Sequence, residues 1–124
     1  MSFTSTHIDI FNKLDSGIKI TDFSSEGDSG NLIIKLEGYL DTKNSIPFRE
    51  AVTRALSENK KWSSVVIDLL HVSYISSTGI GSLANILVET KKAGKEMYLA
   101  NVNNKVKSIM KMLGFYSYFK FLNH

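Results

Sequence analysis

The sequence predicts a single α/β domain, a mainly parallel sheet with helices packed on it in the order β-β-α-β-α-β-α-β. Three observations carry this expectation. Short apolar, β-branched segments alternate along the chain with segments whose apolar residues recur at helical spacing. The 124 residues are the usual size of one domain and leave little room for a second. With 43% hydrophobic and 22% charged residues, one proline and eight glycines, the chain has the makings of a real core and few linker-like stretches.

The elements follow in order. Residues 1–16 form an N-terminal extension in which Ile8, Ile10, Phe11 and Leu14 make a short apolar set. It either packs on the domain or on a second copy of the chain, giving a homodimer, or belongs to a disordered start. The domain proper is expected over 17–122. Gly17 to Phe23 alternates as a strand does, and Leu32-Ile33-Ile34-Lys35-Leu36 is a second strand. The turn-forming run Ser24 to Gly30 joins them as a hairpin with a long connection.

After Gly38-Tyr39-Leu40-Asp41 comes a helix, because Phe48, Ala51, Val52, Ala55 and Leu56 fall on one stripe of a 3.6-residue period. Ser45 is its expected N-cap, and Pro47 is tolerated in the first turn, where backbone donors lack partners. Val65-Val66-Ile67-Asp68-Leu69 reads as a strand buried on both faces. A second helix carries Ile80, Leu83, Ala84, Leu87 and Val88; Gly94 ends it, with Lys91 and Lys92 in the last turn where cations suit the dipole. Met97 to Ala100 is a further strand. Asn103 or Asn104 caps a third helix bearing Val106, Ile109, Met110 and Leu113 and closed by Gly114, and Tyr118 to Leu122 is a final edge strand. The core accounts for all three stripes, so no cofactor is expected.

Composition narrows function. No cysteine is present, which excludes disulfides and thiolate metal sites and fits a reducing compartment. No apolar run reaches the ~18 residues of a membrane span, and the first fifteen residues lack the basic start and apolar stretch of a signal peptide. The expectation is a cytoplasmic protein without membrane insertion. Residues 1–59 hold six basic and nine acidic side chains, and residues 60–124 hold nine basic and three acidic ones. The basic half is either a face for an acidic partner or the solvated surface of helices. Both arginines, Arg49 and Arg54, lie in the other half, so nucleic acid is not the expected partner.

Catalytic chemistry finds little support. His7, His71 and His124 are scattered without metal-ligand spacing, and no metal site is expected. A Ser77–His71–Asp68 triad would lie within ten residues on one strand and loop, and the Gly-x-Ser-x-Gly elbow is missing. Gly79-Ile80-Gly81-Ser82-Leu83-Ala84 matches a dinucleotide fingerprint, but with about nine residues separating Leu69 from Gly79 the first glycine is not in the turn after a strand. What remains is Ser76-Ser77-Thr78 directly ahead of the second helix. Capping uses one hydroxyl. Gly79 and Gly81 then sit where each costs the helix ~1 kcal/mol, as if another surface approached the backbone there. An accessible hydroxyl at the positive end of a helix also tolerates a phosphate.

Val66-Ile67-Asp68-Leu69 followed by Val72-Ser73-Tyr74-Ile75-Ser76-Ser77-Thr78-Gly79-Ile80-Gly81 resembles the signature of the STAS domain, particularly the bacterial anti-sigma factor antagonists. Gly38-Tyr39-Leu40-Asp41 and Ala93-Gly94-Lys95-Glu96 are similar to further family motifs, and the resemblance spans roughly residues 17 to 122. It implies partner switching. The protein binds an anti-sigma factor that is also an ATP-dependent serine kinase, is released when a serine at the start of the second helix is phosphorylated, and is restored by a serine phosphatase.

Residue by residue, the implied phosphoacceptor is Ser77, with Ser76 and Thr78 as lesser candidates, and the implied docking surface comprises Asp41, Thr42, Ser76, Thr78, Gly79 and Gly81. No residue is implied as catalytic. The family carries Asp immediately before the phosphorylated serine, and this chain has Ser76 there. Two other functions stay open: a STAS interaction module without phosphoryl control in a transport or other signalling complex, and, remotely, a small nucleotide-binding protein.

Overall fold

The structure is a computed structural model and describes residues 5–25, 30–59 and 61–122. At its centre are two parallel strands, β2 (Asn31–Leu40) and β3 (Ser64–Ile75), paired from Asn31 opposite Ser64 to Leu40 opposite Ile75. Leu32, Ile34, Leu36 and Leu40 on β2 and Val65, Ile67, Leu69 and Ile75 on β3 are buried, which is what holds the pair in register. β1 (Ile18–Ser25) lies antiparallel beside β2, as the hairpin expectation required; its connecting residues 26–29 lie outside the described residues. β4 (Glu96–Ala100) and the two-residue β5 (Phe121–Leu122) complete a five-stranded sheet in the order β1-β2-β3-β4-β5, with every pairing after the first parallel. The expected fold class is therefore the observed one.

Parallel neighbours need crossovers, and helices supply them. α2 (Ser45–Glu58) joins β2 to β3, α3 (Ser77–Lys92) joins β3 to β4, and α4 (Asn104–Met112) followed by a 3-10 turn at Tyr116–Tyr118 joins β4 to β5. α2 and α3 run side by side in the same direction, as shown by the Ser82 hydroxyl near the start of α3 donating to the Ser45 carbonyl at the start of α2 (3.1 Å). Phe48, Val52 and Ala55 of α2 and Ile80, Leu83 and Ile86 of α3 are fully buried against the sheet and each other. Ile86 was not on the expected stripe, whereas Val88 is only half-buried. A helix wedged between a sheet and a neighbouring helix buries more than one stripe.

An N-terminal helix, α1 (Thr6–Lys13), lies against α2. Ile8 and Phe11 enter the core, with Phe11 edge-on to Phe48 at 6.1 Å, while Ile10 and Leu14 remain exposed. Asn12 also fastens α1 to the sheet. Its side-chain amide donates to the Ile20 carbonyl and accepts from the Ile20 amide, both at 2.9 Å, satisfying the outward backbone groups of an edge strand.

Three expected boundaries move. β3 runs on past Leu69 to Ile75, because the second half of the strand pairs with β2 although Leu70, His71, Ser73 and Tyr74 are exposed. The N-cap of α2 is Asn44, not Ser45, which sits wholly buried as the first helical residue. The expected C-terminal strand begins only at Phe121, since Tyr116–Tyr118 turn as a 3-10 helix and Tyr116 stacks on Phe121 at 5.0 Å. Asn103 is the cap of α4, accepting from the Val106 amide at 2.8 Å. Among the described residues no helix is long and apolar enough to cross a membrane. His124 and Lys60 lie outside the described residues.

Asn12→Ala leaves a backbone donor and acceptor of β1 without protein partners. It is expected to lower stability by about 1–2 kcal/mol in urea unfolding, with hydrogen exchange at Ile20 accelerated before that of the β2–β3 pair.

Candidate functional site

The last rung of the β2–β3 pair positions the segment singled out by the sequence. Where both strands leave the sheet, the Ser76 amide donates to the Leu40 carbonyl at 2.8 Å, so the turn after β2 and the turn after β3 lie against each other. The turn after β2 is built by Asp41. One oxygen of its carboxylate accepts from the backbone amides of Lys43 and Asn44, each at 2.9 Å, and its carbonyl accepts from the Ser45 amide at 3.1 Å and from the Ser45 hydroxyl.

Asn44, only 1% exposed, locks this turn: its side chain accepts from the Asp41 amide (2.8 Å) and donates to the Ser16 and Tyr39 carbonyls (3.0 and 2.9 Å). The sequence reading missed the parts played by Asn44 and Ser82, and took Ser45 for the helix cap. The one signal was the Asp-x-x-Asn spacing, a pair of turn residues that hydrogen-bond nearby backbone.

The three hydroxyls separate by role. Ser76 is the N-cap of α3, its oxygen accepting from the Gly79 amide at 3.1 Å. Ser77 is the first helical residue and is exposed, and among the described residues its hydroxyl has no protein partner. Thr78 is half-buried. α3 has no acidic residue in its first turn, so its amide end carries uncompensated positive character.

The two glycines also separate. Gly79 is buried, and a Cβ there would come within 2.8 Å of a methyl of Ile75 and 2.9 Å of the Leu40 Cβ. The surface that approaches its backbone here is the protein's own. Gly81 is exposed and faces open space. Thr42 is exposed, and Asp41 and Ser76 are half-buried. Ser77, Thr42 and Gly81 thus remain outward, with Asp41 and Ser76 shaping the backbone beneath.

The alternative chemistries fare differently from how the sequence presented them. Only Ser76 separates β3 from α3, so no nine-residue loop precedes Gly79. The fingerprint still fails, because Gly79 lies inside the first helical turn with its backbone packed on Leu40 and Ile75. Asp68 accepts from the Leu70 amide at 2.9 Å and the Asn101 side chain at 3.1 Å, and His71 is exposed opposite Glu37. Neither hydrogen-bonds Ser77.

The sequence profile of the STAS domain matches residues 22–124. Solved structures share the fold. An anti-sigma factor antagonist from Mycobacterium paratuberculosis is similar over 96% of this chain and 89% of its own, at 14% identity and a TM-score of 0.71. The anti-sigma factor antagonist SpoIIAA in its unphosphorylated form is similar over 82% of this chain and 87% of its own, at 16% identity and a TM-score of 0.65. SpoIIAA of Bacillus is also known in a phosphorylated form. The murine Solute Carrier 26 family member A9 anion transporter matches 68% of this chain with 14% of its own, at 23% identity and a TM-score of 0.60.

Substituting the glycines tests the division between them. Gly79→Ala is expected to lower stability by about 1–2 kcal/mol, overpacking against Leu40 and Ile75 outweighing the gain in helix propensity. Gly81→Ala, with nothing to strike, is expected to raise stability by about 0.5–1 kcal/mol. Thermal or urea unfolding of the two variants gives opposite signs if the inward and outward assignments are right.

Proposed function

The chain belongs to the STAS domain family, and from that premise we propose that it is an anti-sigma factor antagonist that works by partner switching. It binds an anti-sigma factor that is also a serine kinase, and phosphorylation of Ser77 releases it. A serine phosphatase would reverse the step. In this reading the chain works by binding rather than by catalysis, in the cytoplasm, and regulates transcription through its partner.

The observation that carries the reading is the division of labour at the start of α3. Ser76 supplies the cap, leaving the exposed Ser77 hydroxyl without a structural duty. The likeness to SpoIIAA, known with and without phosphate, supports it. Thr42, Thr78 and Gly81 around Ser77, over the rigid Asp41 turn, are the proposed docking surface.

The sign of the switch follows from electrostatics. A phosphate adds ~−1.5 to −2 charge. At the amide end of α3 it meets positive character and no neighbouring acid in the first turn, so it does not oppose the fold. Its cost falls on the complex, where bulk, desolvation and repulsion act at the interface. About 3 kcal/mol there weakens binding about a hundredfold, enough to release a partner.

A second reading, a STAS module without phosphoryl control in a transport assembly, draws on the likeness to the transporter. Incubation of the protein with a candidate kinase and ATP, with site-resolved mass spectrometry, separates the two. The switch requires phosphate on Ser77. It also requires that Ser77→Asp fold normally and lose about a hundredfold in affinity for the anti-sigma factor, while Ser77→Ala binds and is not released by the kinase. An Asp variant that binds like the unsubstituted protein in a titration removes the interface model.

A further inference from the structure

α1 packs antiparallel on α2. His7 Nε2 lies 3.6 Å from a carboxylate oxygen of Glu58 at one end, and the Asn44 side chain reaches the Ser16 carbonyl at the other. Between these ties the two helices leave a hollow of about 160 Å³. Each helix lines it with one stripe at helical spacing, Ile10, Phe11 and Leu14 from α1 and Pro47, Ala51 and Arg54 from α2.

The apolar set of α1 is divided by this packing. Ile8 and Phe11 are buried in the core, whereas Ile10 and Leu14 are each 58% exposed at the rim of the hollow. A leucine or isoleucine side chain suits the hollow in size, since a cavity of roughly 150 Å³ holds a benzene molecule. One face thus carries both projecting apolar side chains and a recess that fits one. A face with both halves of a contact pairs with itself about a two-fold axis.

The charges point the same way. Asp9 and Lys13, four residues apart, are exposed beside Ile10 and Leu14, and among the described residues neither has an ion-pair partner. Two copies of α1 laid antiparallel bring Asp9 of each to Lys13 of the other. A parallel pairing sets like charges together instead. Glu50 and Arg54 repeat the acid–base spacing on the α2 side of the hollow.

We propose that the chain forms a homodimer through this face, with α1 of each copy antiparallel to α1 of the other and Ile10 and Leu14 covered at its centre. The face is about 20 Å long and two helices wide. Two copies bury on the order of 1,000 Å², at the low end of specific interfaces, so the dimer is a weak one. α2 stands between α1 and α3, so the dimer leaves the surface around Ser77 free in both copies. The inference does not depend on how that surface is used.

Sedimentation equilibrium of the full chain from about 5 to about 500 μM tests it. A monomer is expected to give way to a species of twice its mass, with a Kd on the order of 100 μM. Asp9→Lys and Lys13→Asp, which set like charges opposite each other, are each expected to weaken dimerisation at least about fivefold. An equimolar mixture of the two is expected to regain it as a heterodimer. Ile10→Gln combined with Leu14→Gln is expected to weaken dimerisation at least about tenfold with unchanged circular dichroism, and Ser77→Asp to leave it as it is. A monomer at about 500 μM overturns the proposal and leaves the hollow to residues 1–4 or to a different protein. A dimer indifferent to the Ile10 and Leu14 substitutions, or charge variants that regain nothing on mixing, overturns it as well.

Discussion

The end of the β2–β3 pair is the constraint from which the rest of the molecule follows. Leu40 and Ile75 are its last partners, both wholly buried, and the Ser76 amide extends the pairing one step further onto the Leu40 carbonyl. Because the strands are parallel, both chains leave the sheet at the same end and both must turn into helices there. That places the Asp41 turn and the start of α3 in contact without any residue of either having been chosen for the other. Gly79 is the consequence at atomic scale: the first turn of α3 comes so close to Leu40 and Ile75 that a Cβ would strike both. The site around Ser77 therefore rests on rigid elements, and loop motion is not needed to present it.

The alternation of strands and helices was legible because it depends on burial, and burial leaves a periodic trace. The stripes of α2, α3 and α4 were written as apolar spacing, and Val65 to Leu69 as an unbroken apolar run. The second half of β3 left no such trace. From Leu70 to Tyr74 four of five side chains are exposed, and a strand held by pairing alone reads as a loop. α1 was legible only as a set of apolar residues, since Ile8 and Phe11 turn inward while Ile10 and Leu14 do not. Within the site, spacing marked the hydroxyls but could not say which one caps. Asn44 was legible only as a turn residue spaced from Asp41, because its bonds to Asp41 and Tyr39 are local, whereas its donation to the Ser16 carbonyl, which ties the turn to the start of the sheet, exists only in the tertiary fold. Gly79 was marked as a place of close approach but the approaching surface was not, since a sequence carries no indication of inside and outside for a residue without a side chain.

Ser76 explains how this chain departs from the pattern it resembles without losing the geometry. The position has extended backbone, φ −75° and ψ 170°, and its side-chain oxygen accepts from the Gly79 amide. Serine and aspartate are both strong N-caps that use an oxygen in this way. Exchanging one for the other preserves the start of the helix and changes only the charge. The difference is felt by whatever approaches from outside, because the fold needs the oxygen and not the carboxylate.

That difference also distinguishes the two helix starts that meet at this end of the molecule. α2 and α3 run in the same direction, so their amide ends lie together and their positive character adds. At α2 the Asp41 carboxylate already answers it, taking two backbone amides of the turn. At α3 the cap is neutral and the first turn holds no acid. At the opposite end, α3 finishes with Lys91 and Lys92, cations set against its carbonyls. Of the three termini, only the start of α3 lacks a charge to balance its dipole. The exposed Ser77 hydroxyl stands at that terminus, so an anion added to it completes the electrostatic pattern of the helix while altering the surface a partner would meet.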